Sequence, residues 1–400
     1  MEGVKVLEVA TWGVAPLAAT VLGDWGADVV KIEDRVGGDP VRGVFSDRLT
    51  EVNAFDAPWQ HVNRGKRSVA VDLAKPAGQA VVHRLAEASD VFVTNFPRSR
   101  LVRFAVDVPD IRRCNPSIVY ARASSFGPRG ADAEKGGHDI NAYWSRAGAA
   151  YAAQRVADSE YPPGPPAGAF GDYPTALTLA GGIAAALFQR ERHGETSTVD
   201  ASLFGVGIWS MAYNLIGETE WQRPEQGGRS FVPNPLVNIY RTRDGRFIQL
   251  SMVQADRWWA DLCTKIDRPD LLADERFRDF HSRRENRAAL IQILDEEFSA
   301  RTYAEWCVVL ERVDGPWAPV AAPSEVHDDP QAIANDYFTE IIGADGRANV
   351  TVVSVPVQFD ERSPALARAP EHGEHTEAVL LESGLTWDEI AELKRGDAII

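Results

Sequence analysis

Short apolar runs alternate with longer amphipathic ones through the first half of the chain, and that alternation predicts its architecture. Val4–Ala10 reads as a strand, Ala15–Trp25 as a helix and Ala27–Glu33 as a second strand, a βαβ unit of roughly thirty residues. The rhythm continues with a strand over Arg67–Leu73, a helix over Gly78–Ala88, and strands over Asp90–Asn95 and Ser117–Ser124. Apolar strands separated by helices predict an α/β fold with a parallel sheet covered on both faces. Ligands on such sheets bind at the carboxyl ends of the strands. Here those ends are the loops Thr11–Val14, Glu33–Arg42, Asn95–Arg103 and Ser124–Lys135.

Pro165–Phe204 reads as a loop, a long helix and a strand. Pro174 suits a first helical turn, where its missing N–H costs nothing. Leu177, Leu179, Ile183, Leu187 and Phe188 keep one side of Thr175–Arg192 apolar, and His193-Gly194 is a helix stop. Asp172 stands at the loop-to-helix junction, in a positive field that favours the ionised carboxylate. Gly168, Ala169 and Gly171 leave space around it. On these residues alone Asp172 is a helix cap or a nucleophile.

Beyond Trp221 the pattern changes. Leu236–Thr242 and Arg246–Met252 alternate around Arg243-Asp244-Gly245, an antiparallel hairpin. Helical segments follow over Gln254–Ile266, Arg284–Ser299 and Thr302–Arg312, then a rigid loop, Gly315-Pro316-Trp317-Ala318-Pro319. After Asp328 come a helix, a strand over Ala348–Phe359 and a final helix that Thr386 and Glu389 start with a capping box. The expected organisation is a large domain over 1–205, a linker over 206–224, a smaller α+β domain over 225–330, and a segment over 331–400 that returns to the large domain.

Composition narrows the partners. At 44% hydrophobic and 25% charged residues, the chain has the make-up of a globular protein. A net charge of −16 argues against nucleic acid or an anionic membrane surface. Cys114, Cys263 and Cys307 are isolated and show no metal spacing, which fits a reducing cytoplasm and small hydrophobes in the core. No signal peptide pattern and no run of membrane-spanning length is read, so a cytoplasmic location is expected.

The first βαβ unit invites a dinucleotide reading, with Glu33 about twenty residues after Gly13. The loop Ala10-Thr11-Trp12-Gly13-Val14 has one glycine where that fingerprint needs three, and Trp12 crowds the approach of a pyrophosphate. Glu33 is therefore read as structural. Arg35, Arg42, Arg64, Lys66, Arg67, Arg98, Arg100 and Arg103 gather in or near the sheet's C-terminal loops, as an anionic ligand needs on so acidic a chain. His138, in Gly136-Gly137-His138-Asp139, can form an acid/base pair with Asp172. No nucleophile elbow, Walker loop, HExxH or zinc spacing is present. The tryptophans Trp258, Trp259, Trp306 and Trp317 read as core.

Several short stretches, in this order and spacing, carry a resemblance. They are Gly26-Ala27-Asp28-Val29-Val30-Lys31-Ile32-Glu33, Gly38-Asp39 with Arg42-Gly43, Asn63-Arg64-Gly65-Lys66-Arg67-Ser68, Asp90-Val91 through Asn95-Phe96, Asn115-Pro116, Gly171-Asp172 and Gly373-Glu374-His375-Thr376. Along nearly its whole length the chain resembles the class III CoA-transferases of the formyl-CoA and carnitine-CoA type. The resemblance implies a Rossmann-like large domain, a small domain and an interlocked homodimer. It implies CoA transfer between an acyl-CoA and a carboxylic acid, with coenzyme A as substrate and no prosthetic group. Asp172 is then the nucleophile, passing through an anhydride and an aspartyl-CoA thioester. The CoA nucleotide is expected across Trp12, Gly13 and Val14, Asp34 and Arg35, Val71 and Lys75, Asn95 and Phe96, and Arg103 and Phe104.

The chain also departs from that pattern. His138 stands where oxalate-type transferases carry tyrosine, and Gly-His-Asp-Ile-Asn resembles the α-methylacyl-CoA racemases of the same superfamily. Gly13 replaces a glutamine, and the glycine-rich lid shrinks to Gly227-Gly228 before Arg229-Ser230-Phe231. A formyl-CoA:oxalate activity is therefore not expected. The acid is larger, with Trp144, Phe170, Tyr173 and Trp209 as candidates to line its pocket. The alternatives are a racemase using His138 and Asp172, and a CoA-ester-binding protein without chemistry.

Overall fold

A computed structural model describes the chain except for residues 43–55, 158–159, 221–227, 230–231 and 343–348. Gly43, Trp221, Gly227, Ser230, Phe231 and Ala348 lie outside the described residues. The chain forms two units, one of Met1–Ala149, Gly164–Leu215 and Pro330–Ile400, the other of Ala150–Pro163 and Ile216–Asp329.

In the first unit, β1 (Lys5–Val9), β2 (Asp28–Asp34), β3 (Arg67–Val71), β4 (Val91–Thr94), β5 (Val119–Ser124) and β6 (Thr198–Ser202) form one parallel sheet. Their order is β3-β2-β1-β4-β5-β6, the doubly wound arrangement, so the chain's direction of winding reverses between β1 and β4. That reversal opens a crevice at the loops after these two strands, which are Thr11–Gly13 and Asn95–Pro97. Among the first unit's helices are α1 (Val14–Asp24), α2 (Ala57–Asn63), α3 (Pro76–Glu87), α4 (Arg98–Arg103), α5 (Val108–Cys114), α7 (Asp172–His193) and α8 (Leu203–Ser210), whereas α6 (Ala149–Ala157) belongs to the other unit from Ala150 on.

Helix α1 is apolar all round and buried from Val14 to Leu22, the pattern of a helix enclosed on every side. It packs on α7, where Ala15, Ala18, Ala19, Ala176 and Ala180 let the two backbones approach and Leu179 and Ile183 fill the space beside them. Each such leucine or isoleucine contributes about 1.5–3 kcal/mol on burial. Helix α7 ends where its sequence predicts: Gly194 takes φ +71° and its N–H donates to the Arg190 carbonyl at 2.8 Å. Its start differs from the cap reading. Gly171 occupies the cap position and Asp172 is already the first helical residue.

The other sheet face is covered by α3 and by C-terminal helices over Thr376–Glu382 and Trp387–Arg395. The C-terminal stretch is stitched to β3, with His375 N donating to the Ser68 carbonyl and Ala70 N to Thr376 Oγ1. The capping box of Thr386 and Glu389 forms. Near residue 350 the expected single strand is half of a hairpin, Phe338–Ile342 with Asn349–Val353. It stops at Val353, as Pro356 has no N–H to continue a ladder.

The second unit contains the predicted hairpin, Val237–Arg241 with Phe247–Ser251, turning at Gly245 with φ +82°. Trp317–Pro319, read above as a rigid loop, adds a third strand at the edge, where proline is tolerated. Trp259, Cys263 and Trp306 are buried in this unit's core. Among the described residues, no helix is long and apolar enough to cross a membrane.

Candidate active site

The loops after β1 and β4 hold each other. Asn95 donates from Nδ2 to the Thr11 carbonyl at 2.6 Å and accepts the Thr11 N–H on Oδ1 at 3.1 Å. Trp12 follows in the left-handed region at φ +67°, and its N–H donates to Asp39 Oδ1 at 3.3 Å. Asp39 is itself anchored by a buried charge cluster. Lys31 Nζ lies 2.7 Å from Asp39 and 2.6 Å from Glu8, and Lys66 Nζ lies 2.7 Å from Glu8. A non-glycine φ of this kind costs of order 1 kcal/mol or more and persists only where the surroundings impose it. Here they are the Asn95 clamp and the Asp39 acceptor.

That loop delivers Gly13 to the carboxylate of Asp172. A Cβ on Gly13 would stand 2.5 Å from Asp172 Oδ2 and 2.9 Å from its Cγ. Gly171 is confined in the same way on its other side, where a Cβ would stand 2.5 Å from Tyr143 Cγ. Gly13 is the cap position of α1 and Asp172 opens α7, so two helix N-termini converge on one carboxylate. Both direct positive partial charge at it.

Burial nevertheless decides the titration. The half-buried carboxyl accepts no hydrogen bond among the described residues, and Asp139 adds a like charge. The two push Asp172 up from 3.8 to about 7. The expectation that the helix end alone holds Asp172 ionised is thus corrected. A helix terminus is worth about 0.3–1 kcal/mol, whereas each pKa unit represents about 1.4 kcal/mol. Because the folded chain holds this proton more tightly than the unfolded one, ionisation removes stability as pH rises from 3.8 through about 7. Asp139 receives the Gly171 N–H on Oδ2, a bond that asparagine can keep. Asp139→Asn is therefore expected to lower the Asp172 midpoint below about 7, read by NMR titration of the labelled carboxyl. A midpoint that stays in place would leave burial as the sole cause.

Asp172 opens into a cavity of about 610 Å³ that Trp12, Gly13, Val14, Asn95 and His138 also line. His138 is exposed and meets Trp12 edge-on at 5.8 Å. The structure thus brings Asp172 and His138 to one cavity. Tyr173 lines it too, whereas Trp144 and Phe170 pack on each other at 6.0 Å and Trp209 is exposed.

A second cavity of about 410 Å³ lies on the β2–β3 side, and Trp12 is a wall of both. Asp34, Val71, Phe96, Arg103 and Phe104, all expected at the nucleotide, line it. Arg35 and Lys75 do not: Arg35 pairs with Asp397 at 3.2 Å, and Lys75 Nζ donates to the Gly396 carbonyl at 2.9 Å. The broad basic cluster is likewise corrected. Arg42 pairs with Glu33, Arg64 with Asp24, Lys66 with Glu8, Arg67 with Asp28 and Glu382, and Arg98 with Asp107. Glu33 is structural as read, also receiving Ser68 Oγ and the Asp39 N–H. Arg100 and Arg103 remain without an ion pair among the described residues, and both line the second cavity. Arg100, which the sequence placed only in the broad basic cluster, lies 3.9 Å over the Phe96 ring. Among the described residues no His, Cys, Asp and Glu cluster has metal-binding geometry.

His61 was missed. It lies on α2, lines the Asp172 cavity and meets Tyr173 at 5.6 Å. Asp56-Ala57-Pro58 was the available signal, a capping residue followed by proline in the first turn, and the Asp56 carboxylate does receive the Trp59 N–H.

Comparison with known proteins places the chain in a family. The model of CoA-transferase family III matches residues 1–376. The (R)-2-hydroxy-4-methylpentanoate CoA-transferase of Clostridioides difficile is 31% identical, the match covering 98% of each chain. The cinnamoyl-CoA:phenyllactate CoA-transferase of Clostridium sporogenes is 28% identical over 100% of this chain and 97% of its own. The human alpha-methylacyl-CoA racemase is also 28% identical, with the same coverage. Among solved structures, a CAIB/BAIF family protein from Brucella suis superposes with a TM-score of 0.81 at 26% identity, over 96% of this chain and 98% of that one. The chain belongs to CoA-transferase family III, and it is a CoA-transferase.

Proposed function

We propose that Asp172 is the covalent nucleophile of this transferase and that the acid it serves is a monocarboxylate with an apolar body. The observation that carries the reading is an open carboxylate, without a hydrogen-bond donor among the described residues, set against Gly13 at two helix N-termini. Its oxygen attacks the acyl thioester carbonyl, the C–S bond breaks, and a mixed anhydride and CoA thiolate result. The thiolate attacks the aspartyl carbonyl, releasing the first acid and leaving an aspartyl-CoA thioester. The acceptor carboxylate attacks that thioester, giving a second anhydride and thiolate. Attack of the thiolate on the acceptor carbonyl makes the new acyl-CoA and restores Asp172. The oxyanion of each step develops where the first turns of α1 and α7 meet.

The lining supports the acid's class. Val41, Val62, Leu203, Val352 and Val353 face the cavity, and no lysine or arginine does so among the described residues. This suits acids like those in the names of the two clostridial relatives better than a dicarboxylate. The second cavity, with Arg100 and Arg103, takes the anionic nucleotide end of CoA, and its shared wall with the first gives the pantetheine arm its route. A second copy of the chain is the assembly we infer, since Trp209 on α8 and Phe188 on α7 are 81% and 66% exposed. Its unpaired cysteines suit the cytoplasm.

His138 in the same cavity supports a second reading, racemisation at the α-carbon. One experiment separates the two. Incubation with an acyl-CoA in deuterated water, with and without hydroxylamine, is expected to modify Asp172 and leave the α-carbon unlabelled. Deuterium at that carbon with no modified Asp172 means proton transfer instead.

A further inference from the structure

Among the polar groups of the Asp172 cavity that the transfer chemistry does not use, His61 is the one whose tautomer the structure fixes. His61 projects from α2, and its Nδ1 lies 3.2 Å from Arg64 Nη1. A guanidinium can only donate, so Nδ1 must be the bare, accepting nitrogen. Arg64 cannot swing away. Its Nη1 also donates to the His61 carbonyl at 2.8 Å, and its other edge is held by Asp24 at 2.6 Å, both side chains buried. The ring is therefore neutral with its proton on Nε2. Burial and the Arg64 cation push its titration down to about 4, so this form persists through the working pH range. Nε2 has no acceptor among the described residues.

We propose that His61 is a specificity residue, donating from Nε2 to an oxygen substituent carried on the acyl chain, with a hydroxyl as the best match. An apolar chain entering this cavity displaces water and leaves the N–H bare beside Val62 and Tyr173. A hydroxylated chain replaces the water and keeps the bond. The fixed tautomer makes the preference one-sided: the site offers a proton at this position and cannot accept one. This inference rests on the reading of Asp172 as the nucleophile of an acid bound in this cavity.

The test compares kcat/KM for matched acids with one acyl-CoA donor: 2-hydroxy-4-methylpentanoate against 4-methylpentanoate, and phenyllactate against phenylpropanoate. The wild type is expected to prefer the hydroxy acid of each pair by about tenfold or more. His61→Phe keeps a ring in place without the donor and is expected to bring the ratio close to one. His61→Gln, which returns an N–H, is expected to restore part of it. Thermal midpoints and hydroxylamine trapping on Asp172 are measured on the same preparations. A wild-type ratio near one, or a His61→Phe ratio equal to the wild type's, with trapping intact, overturns the His61 assignment and leaves Asp172 standing. Absence of a trapped adduct in the wild type overturns the Asp172 reading and this inference with it.

Discussion

Asp172→Asn is expected to abolish CoA exchange, by about 10⁴-fold or more in kcat, while the protein stays folded. The amide is nearly isosteric with the carboxyl and removes only the charge and the oxygen proposed as the nucleophile. The same substitution removes a group that burial and Asp139 make costly to ionise. Above pH 7 the variant is therefore expected to melt at a higher temperature than the wild type, with the difference vanishing as the pH falls toward 3.8. Lost activity together with gained stability is the signature of a strained functional group. Exchange rates and melting curves at pH 5 and pH 8 check both halves. A variant turning over within about tenfold of wild type would sink the nucleophile assignment.

Gly13→Ala is the second large effect. Gly13 sits at φ −95°, ψ −80°, on the side of conformational space open to any L-residue, so the backbone gains little from glycine here. The obstruction to a methyl group is Asp172 itself, whose Oδ2, Cγ and Oδ1 are the nearest atoms at 2.5, 2.9 and 3.4 Å. A methyl group must push the carboxylate aside, and a displacement of about 1 Å costs on the order of 10²-fold in rate. We expect kcat to fall by about that factor with little change in melting temperature. An alanine variant with full activity would show that the carboxylate can work from a displaced position.

Much of the fold was legible because its strands are short apolar runs and its helices punctuate them. The starts and stops of β1–β5 lie within two or three residues of their expected places. Pairing across the sheet left no such trace. Glu8 and Lys31 sit inside strands that read as apolar, and only their approach in space shows them to be partners. The same blindness made the basic cluster look like one large anion site. Glu33, Asp24, Glu8 and Asp28 occupy most of it from neighbouring elements. Asp172 and His138 were found from local glycines and the family likeness, signals that lie along the chain. His61 required α2, whose seven residues carry too little periodicity to compete with the better-marked helices.

Trp12 belongs to two chambers at once; its N–H is held by Asp39, and Asn95 clamps Thr11 just before it. If CoA lies as proposed, a long thioester gripped by its far end would press on the same partition that frames the reacting carbon. Grip at a distance becomes alignment at the bond, so a shortened thioester should forfeit speed as well as tightness.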